Sequence, residues 1–222
     1  MLLTIAPALA QNRSPQQLLA AGEFAAAWAV GHASDQPAEV LTAAEAANLL
    51  AQYRASSDEE RRVWLARAQQ AARRALTLDP KSAEAYYQLA AAQAEAIRFV
   101  GVFAKISLAS QIKENLDQAL TLDPDHARAY MGLALWHLQL AKRGLGWLYG
   151  ASLSEVKPLF ERALALEPGN IEIRKNYGFA LLQLGQAKPA CRQLQAALAL
   201  PAMTAPRRLQ RQRAAELLAG CR

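Results

Sequence analysis

Cysteine, histidine and long apolar runs are all scarce in this sequence, and each scarcity removes a class of protein. The two cysteines, Cys191 and Cys221, form no CxxC pair and have no histidine nearby, so no zinc site is indicated. His32, His126 and His137 fall in separate segments, and no carboxylate pair or nucleophile stands at a motif spacing beside any of them. The sequence therefore predicts no catalytic residue, no metal ligand and no cofactor. No apolar run approaches the roughly 20 residues that cross a bilayer as a helix. Stretches rich in Val, Ile and Thr, the material of strands, are missing as well. What is present is Ala, Leu, Gln, Glu and Arg, which favour helix, and the fold class expected is all-α. The formal charge is +6 with a pI near 9.5. It is carried by arginines scattered among Asp and Glu in most of the chain rather than gathered in a stripe, so nucleic acid is not the expected partner.

The positive evidence is repetition. Ala163-Leu164-Ala165-Leu166-Glu167-Pro168 has near copies in Ala75 to Pro80 and Ala119 to Pro124, and a shortened one in Ala197-Leu198-Ala199-Leu200-Pro201. Pro80, Pro124 and Pro168 are 44 residues apart, and Ala197 follows Ala163 by 34, the tetratricopeptide period. Each copy ends one helix, and its proline forbids continuation. Tyr86, Leu89 and Ala90 recur as Tyr130, Leu133 and Ala134, then as Arg174, Tyr177 and Gly178. Ala119, Ala163, Ala190 and Ala197 fall where paired helices touch, a place that larger side chains would force apart. The expected architecture is a tetratricopeptide-type right-handed α-solenoid of antiparallel helix hairpins. Its two 44-residue units carry about ten extra residues each, Ile97 to Lys105 and Arg143 to Ser152. Phe103, Ile106, Ala109, Ile112, Leu116 and Leu120 fall on one face of the helix after the first insertion. Both lengthened hairpins are expected to project past the solenoid edge.

Residues 1–10, MLLTIAPALA, form a short apolar run ending in Ala8-Leu9-Ala10, the small-residue pattern at which signal peptidase cuts. This predicts an exported protein, periplasmic or elsewhere in a bacterial envelope, not transmembrane after cleavage; the alternative is a cytoplasmic protein with an apolar N-terminus. Residues 11–222 read as one solenoid domain, with degenerate hairpins over 11–82, clear repeats over 83–201 and a capping helix over 206–222. In the degenerate part, Ser14-Pro15 opens a helix that Gly22 breaks, and Glu23 to His32 and Pro37 to Tyr53 follow. Ser57-Asp58-Glu59-Glu60 is a capping box for the helix ending at Leu78.

Solenoids bind along the concave face, here Glu84, Tyr87, Ala91 and Ala94, then Arg128, Met131, Leu135 and Leu138, then Glu172, Lys175, Phe179 and Leu182. Lys175 with Asn176 is a fragment of a carboxylate clamp, but Tyr87 and Met131 stand in the equivalent places upstream, which argues against one. The groove reads as mostly apolar. Tyr87, Arg128, Met131, Leu135, Lys175 and Phe179 are the candidate binding residues, flanked by Phe103, Trp147 and Tyr149 of the insertions. Together they suit an amphipathic peptide or an acyl chain. The alternative is that the inserted aromatics only pack the long hairpins together. His126 is expected to be solvated in an inter-repeat turn, and His137 to be a packing residue. Arg207, Arg208, Arg211 and Arg213 make the last helix either the polar outer cap a solenoid end requires or a contact for anionic lipid or an acidic partner. Antiparallel packing would bring Cys191 and Cys221 to one side, where an exported protein can form a disulfide.

Gly101 to Pro124, GVFAKISLASQIKENLDQALTLDP, resembles the regulator-of-microtubule-dynamics family, a tetratricopeptide family with bacterial members. The resemblance extends over about residues 60 to 220. It implies an α-solenoid adaptor without known catalysis, linked in eukaryotes to microtubules and membrane contact sites, with phospholipid binding connected to the repeat domain. The expected function is a non-enzymatic scaffold holding a protein or peptide segment in its groove; the alternative is a carrier of lipid or another apolar molecule.

Overall fold

The computed structural model describes residues 13–221. The export segment expected at 1–10 lies outside the described residues. Twelve α-helices and no strand occur among those described: α1 Pro15–Ala21, α2 Phe24–Ala33, α3 Pro37–Tyr53, α4 Asp58–Leu78, α5 Ala83–Ala96, α6 Val102–Leu122, α7 Ala127–Lys142, α8 Gly146–Tyr149, α9 Val156–Leu166, α10 Ile171–Gln183, α11 Ala187–Ala199 and α12 Ala205–Ala219. Consecutive long helices pair as antiparallel hairpins, and the hairpins stack into a solenoid.

The repeated Leu-Asp-Pro ending works as a hinge built from its own side chains. Asp79 Oδ1 accepts from Lys81 N–H, and Asp123 Oδ1 from Asp125 N–H, both at 3.1 Å, which shapes the turn the proline begins. A side chain then caps the next helix: Ser82 accepts from Ala85 N–H, His126 from Ala129 N–H, and Asn170 from Ile173 N–H. In the third copy glutamate replaces aspartate, and Glu167 instead accepts from the Asn170 amide at 2.7 Å, holding the cap in place. Upstream, Ser14 and Gln17 form the reciprocal capping box of α1. At α4 the box is shifted by one residue. Ser57 caps Glu60 N–H at 3.1 Å, but the Glu60 carboxylate accepts from the N–H and hydroxyl of Ser56.

Small residues set the spacing of the hairpins. Ala90, Ala119, Ala134, Ala163, Ala190 and Ala197 are all buried. A methyl group added at Gly178 would sit 2.6 Å from Leu194 Cγ, so α10 and α11 approach as closely as they do because that side chain is absent. Phe160 fills the centre of the main core, stacked on Tyr177 at 4.9 Å.

The last helix departs from the expected outer cap. α12 packs on α10 and α11 and then reaches α1. Ala205 is buried in the same apolar cluster as Leu18, Phe24, Leu49 and Leu50, with Leu209 partly buried against it. A methyl group at Gly22 would lie 2.9 Å from Ala205 Cβ, and the Tyr53 hydroxyl donates to Gln210 Oε1 at 2.9 Å. The two ends of the solenoid therefore meet, and the chain closes into a ring with α12 as the closing element. The reason lies in the stripe Ala205, Leu209, Gln210 and Ala214, which gives α12 an inward face of mostly small and apolar groups, while Arg208 and Arg211 stay exposed and Arg207 and Arg213 flank the stripe.

Candidate functional site

Because α12 crosses the inner side, the concave face is not one open apolar groove. It is divided into two polar chambers. One, a cavity of about 360 Å³, lies among α1, α3, α5, α7, the start of α10 and the start of α12. The other, about 510 Å³, lies between the ends of α3 and α5 and the faces of α10 and α12. Gln52 lines both.

The smaller chamber has a wall of linked polar groups. Asn48 Nδ2 donates to Gln88 Oε1 at 2.8 Å, Gln88 Nε2 donates to Glu84 Oε1 at 2.8 Å, and Glu84 pairs with Arg128. His126 contributes from the inter-repeat turn. It accepts from Ala129 N–H through Nδ1, so its other nitrogen carries the proton that meets Glu84 Oε2 at 3.0 Å. Its side chain is 9% exposed, contrary to the solvated histidine expected there: the capping bond and the Glu84 contact together hold the ring inside, beside Tyr87. Burial opposes the Glu84 charge, but Arg128 and the bonds from His126 and Gln88 outweigh it and hold this carboxyl below its ordinary range. Glu45 has the pull of Arg128 but no such hydrogen bonds. Burial raises its pKa, and the carboxylates of Glu84 and Glu172 add to the rise against the opposing pull of Arg128.

The larger chamber is basic. Arg54, Arg61, Arg98 and Arg213 line it together with Lys175, which is 8% exposed. Burial pushes the Lys175 ammonium down from its usual value, against the opposing charges of Glu172 and Glu95.

The expected binding residues are scattered by this arrangement. Tyr87 and Arg128 line the smaller chamber, and Lys175 the larger. Met131 is buried in the main core, where Leu135 and Phe179 pack partly buried. Phe103 and Trp147 are 89% and 83% exposed at the tips of the two lengthened hairpins and line neither chamber. Tyr149 is half-buried and joins the tips by donating to the Ile106 carbonyl at 3.2 Å. On α6, Ala109, Ile112 and Leu116 are buried, but Phe103 and Ile106 run past the end of their neighbour into solvent. Both chambers expose more polar than apolar wall, so neither forms the apolar slot anticipated for an acyl chain. The insertion after α7 folds back instead of extending: Ser152 N–H donates to His137 Nδ1 at 3.0 Å, and burial lowers the pKa of that ring.

Glu45, Asn48 and Gln88 escaped the sequence reading. α3 sits in the degenerate N-terminal part, where no repeat register marks a concave position. The available clue was two polar residues three apart, Glu45 and Asn48, inside an Ala- and Leu-rich helix. Cys191 and Cys221 lie with their Cα atoms 5.9 Å apart, within the span of a disulfide, and their sulfurs are paired.

Hairpins stacked through small residues and joined by Leu-Asp-Pro turns define a tetratricopeptide-type α-solenoid. The family model for regulator of microtubule dynamics protein 1-3 matches residues 29–222, and the chain belongs to this family. A thermophilic tetratricopeptide protein of Thermus thermophilus has a similar fold, with a TM-score of 0.67 at 21% identity over 92% of this chain and 95% of that one. Two further crystal structures resemble it loosely. MamA gives a TM-score of 0.45 at 20% identity, covering 80% of this chain and 88% of its own. YrrB, described as having an unusual peptide-binding site, gives 0.37 at 22%, covering 87% and 88%. No curated protein sequence matches the chain.

Proposed function

We propose that the protein is a non-enzymatic interaction scaffold whose inner face engages a segment of a partner protein. The observation that carries this reading is α12 itself. The inner face already holds one helix, seated by a narrow stripe of Ala205, Leu209 and Gln210, with polar chambers left open on either side of it. A partner segment with polar side chains suits the chambers that α12 leaves open beside it. The polar lining of both chambers speaks against the lipid-carrier reading. We place the scaffold in an oxidising compartment of the bacterial envelope, a reading supported by the approach of Cys191 and Cys221.

Photo-crosslinking in the native host tests the scaffold reading. A photoreactive residue at Gln52, on the inner face, is expected to capture a partner protein, whereas one at Arg73 on the outer helix α4 is not. Equal capture from the two positions, or none from Gln52, refutes an inner binding face.

A further inference from the structure

We propose that the larger chamber is a binding site for a small, water-soluble anion carrying two or more phosphate groups, held across the closure of the ring.

Lys175 stands at the centre of the argument. It is 8% exposed, lines the 510 Å³ chamber, and forms no ion pair among the described residues. An ammonium withdrawn from water without a counter-charge is costly, and buried cations are ordinarily paired or liganded. Glu172 and Glu95 act on Lys175 from a distance, but no carboxylate among the described residues comes within ion-pair reach of it. Arg54 also lacks an ion-pair partner among the described residues. Arg61 and Arg98 share a single carboxylate, Asp58, at 2.8 and 3.1 Å. Arg213 is matched by Glu216 at 2.6 Å, and Glu95 is the other acid on the wall. Five cations thus meet four carboxylates, counting Asp58 behind the wall and Glu172 beside Lys175, and the chamber carries an excess of one positive charge with Lys175 and Arg54 left without an ion pair.

The chemistry of the lining selects the ligand. Guanidinium groups present planar pairs of N–H donors that match phosphate oxygens, and here they converge with an ammonium and the amides of Gln52 and Gln212. Leu209 is the lone aliphatic residue in the wall, which leaves nothing to hold an acyl chain. The donors come from both sides of the closure. Lys175 on α10 and Arg213 on α12 belong to the C-terminal end, while Arg54, Arg61 and Arg98 belong to the N-terminal half. An anion held between them fastens the ring.

Titration calorimetry on the full chain at low salt, with inorganic tripolyphosphate as probe, tests the site. Binding of one anion per chain is expected, weakened at least ten-fold by Lys175→Met and by Arg54→Gln, and unchanged by Arg207→Gln on the other chamber. A rise in melting temperature with probe concentration, lost in the same two variants, is expected to accompany it. Arg54 is exposed and has no ion pair among the described residues, so its variant keeps the test decisive if Lys175→Met fails to fold. Absence of binding overturns the proposal, as does binding that both variants leave intact, which marks a diffuse basic surface. Binding to vesicles containing phosphatidic acid with none to tripolyphosphate also overturns it, because the ligand is then a lipid headgroup at a membrane.

Discussion

Replacing Ala205 by glutamate should open the ring without unfolding the solenoid. The closure rests on little surface. The Ala205 methyl and the partly buried Leu209 side chain contribute about 2 kcal/mol, at about 0.8 kcal/mol per buried methylene. The bond from the Tyr53 hydroxyl to Gln210 adds about 1 kcal/mol. A total near 3 kcal/mol corresponds to roughly 150 closed rings for each open one, at a factor of ten per 1.4 kcal/mol. An unpaired neutral polar group buried in the Leu18, Phe24 and Leu49 cluster already costs about 1–3 kcal/mol, and a carboxylate costs more, so Ala205→Glu exceeds the closure energy. α12 remains docked on α10 and α11, and the remaining hairpins are undisturbed. Small-angle X-ray scattering reads the outcome. A compact chain of this length has a radius of gyration of about 17 Å. Parting the ends by one helix diameter, about 10 Å, should raise it by about 2 Å while far-ultraviolet circular dichroism stays constant. Tyr53→Phe should raise the open fraction about five-fold, to roughly one ring in 30, and so leave the radius of gyration unchanged. A radius of gyration unchanged in Ala205→Glu, with helicity intact, refutes the account of the closure.

Three further outcomes are expected. Phe160→Ala removes the ring at the centre of the main core and its stack on Tyr177, and should cost about 3–5 kcal/mol in a urea titration, far more than Phe103→Ala at an exposed hairpin tip. Lys175→Met should stabilise the ligand-free protein at neutral pH. The lowered pKa of Lys175 means folding penalises its charge below that pKa; the penalty fades as pH rises toward the ordinary lysine value of 10.5, so the gain from methionine should shrink between pH 7 and pH 10 in denaturant titrations. A thiol assay on protein isolated and denatured without reductant should find no free thiol. Reduction should then cost about 3–4 kcal/mol for a loop closed over a sequence separation of 30; two free thiols would refute the bridge.

The fold was legible wherever a local rule decided it. The Leu-Asp-Pro endings, the small residues at helix contacts and the Ser14-Pro15 start act within a few residues, and each appears where the pattern places it. The inner face was less legible because its character depends on where the chain ends. A repeat register locates Tyr87, Arg128 and Lys175 on the concave side, but nothing in it shows that α12 will cross them. Arginines on α12 suggested an outer cap; the decisive residues were the unobtrusive Ala205, Leu209 and Gln210 between them. The same limit explains Phe103 and Trp147. Helical spacing assigns Phe103 to an apolar face, yet whether a face is covered depends on the length of its neighbour, and the 14-residue α5 is shorter than the 21-residue α6. His126 shows the reverse case, in which a side chain in a turn is drawn inward because one nitrogen is needed as a cap.

A stack of repeats ordinarily behaves like a row of coupled units, in which the outermost can fray while the middle holds. The bond between Tyr53 and Gln210 joins residues 157 apart in sequence and leaves this stack without an outermost unit. Each terminal hairpin shields the other, so the loss of either exposes both. Heat or denaturant should then meet a molecule that melts in one step, unlike an open array of the same hairpins, and hydrogen exchange at α1 should be coupled to exchange at α12. Closure has a kinetic counterpart as well: contacts between distant parts of a chain form late, so the ring should be completed after the hairpins have stacked.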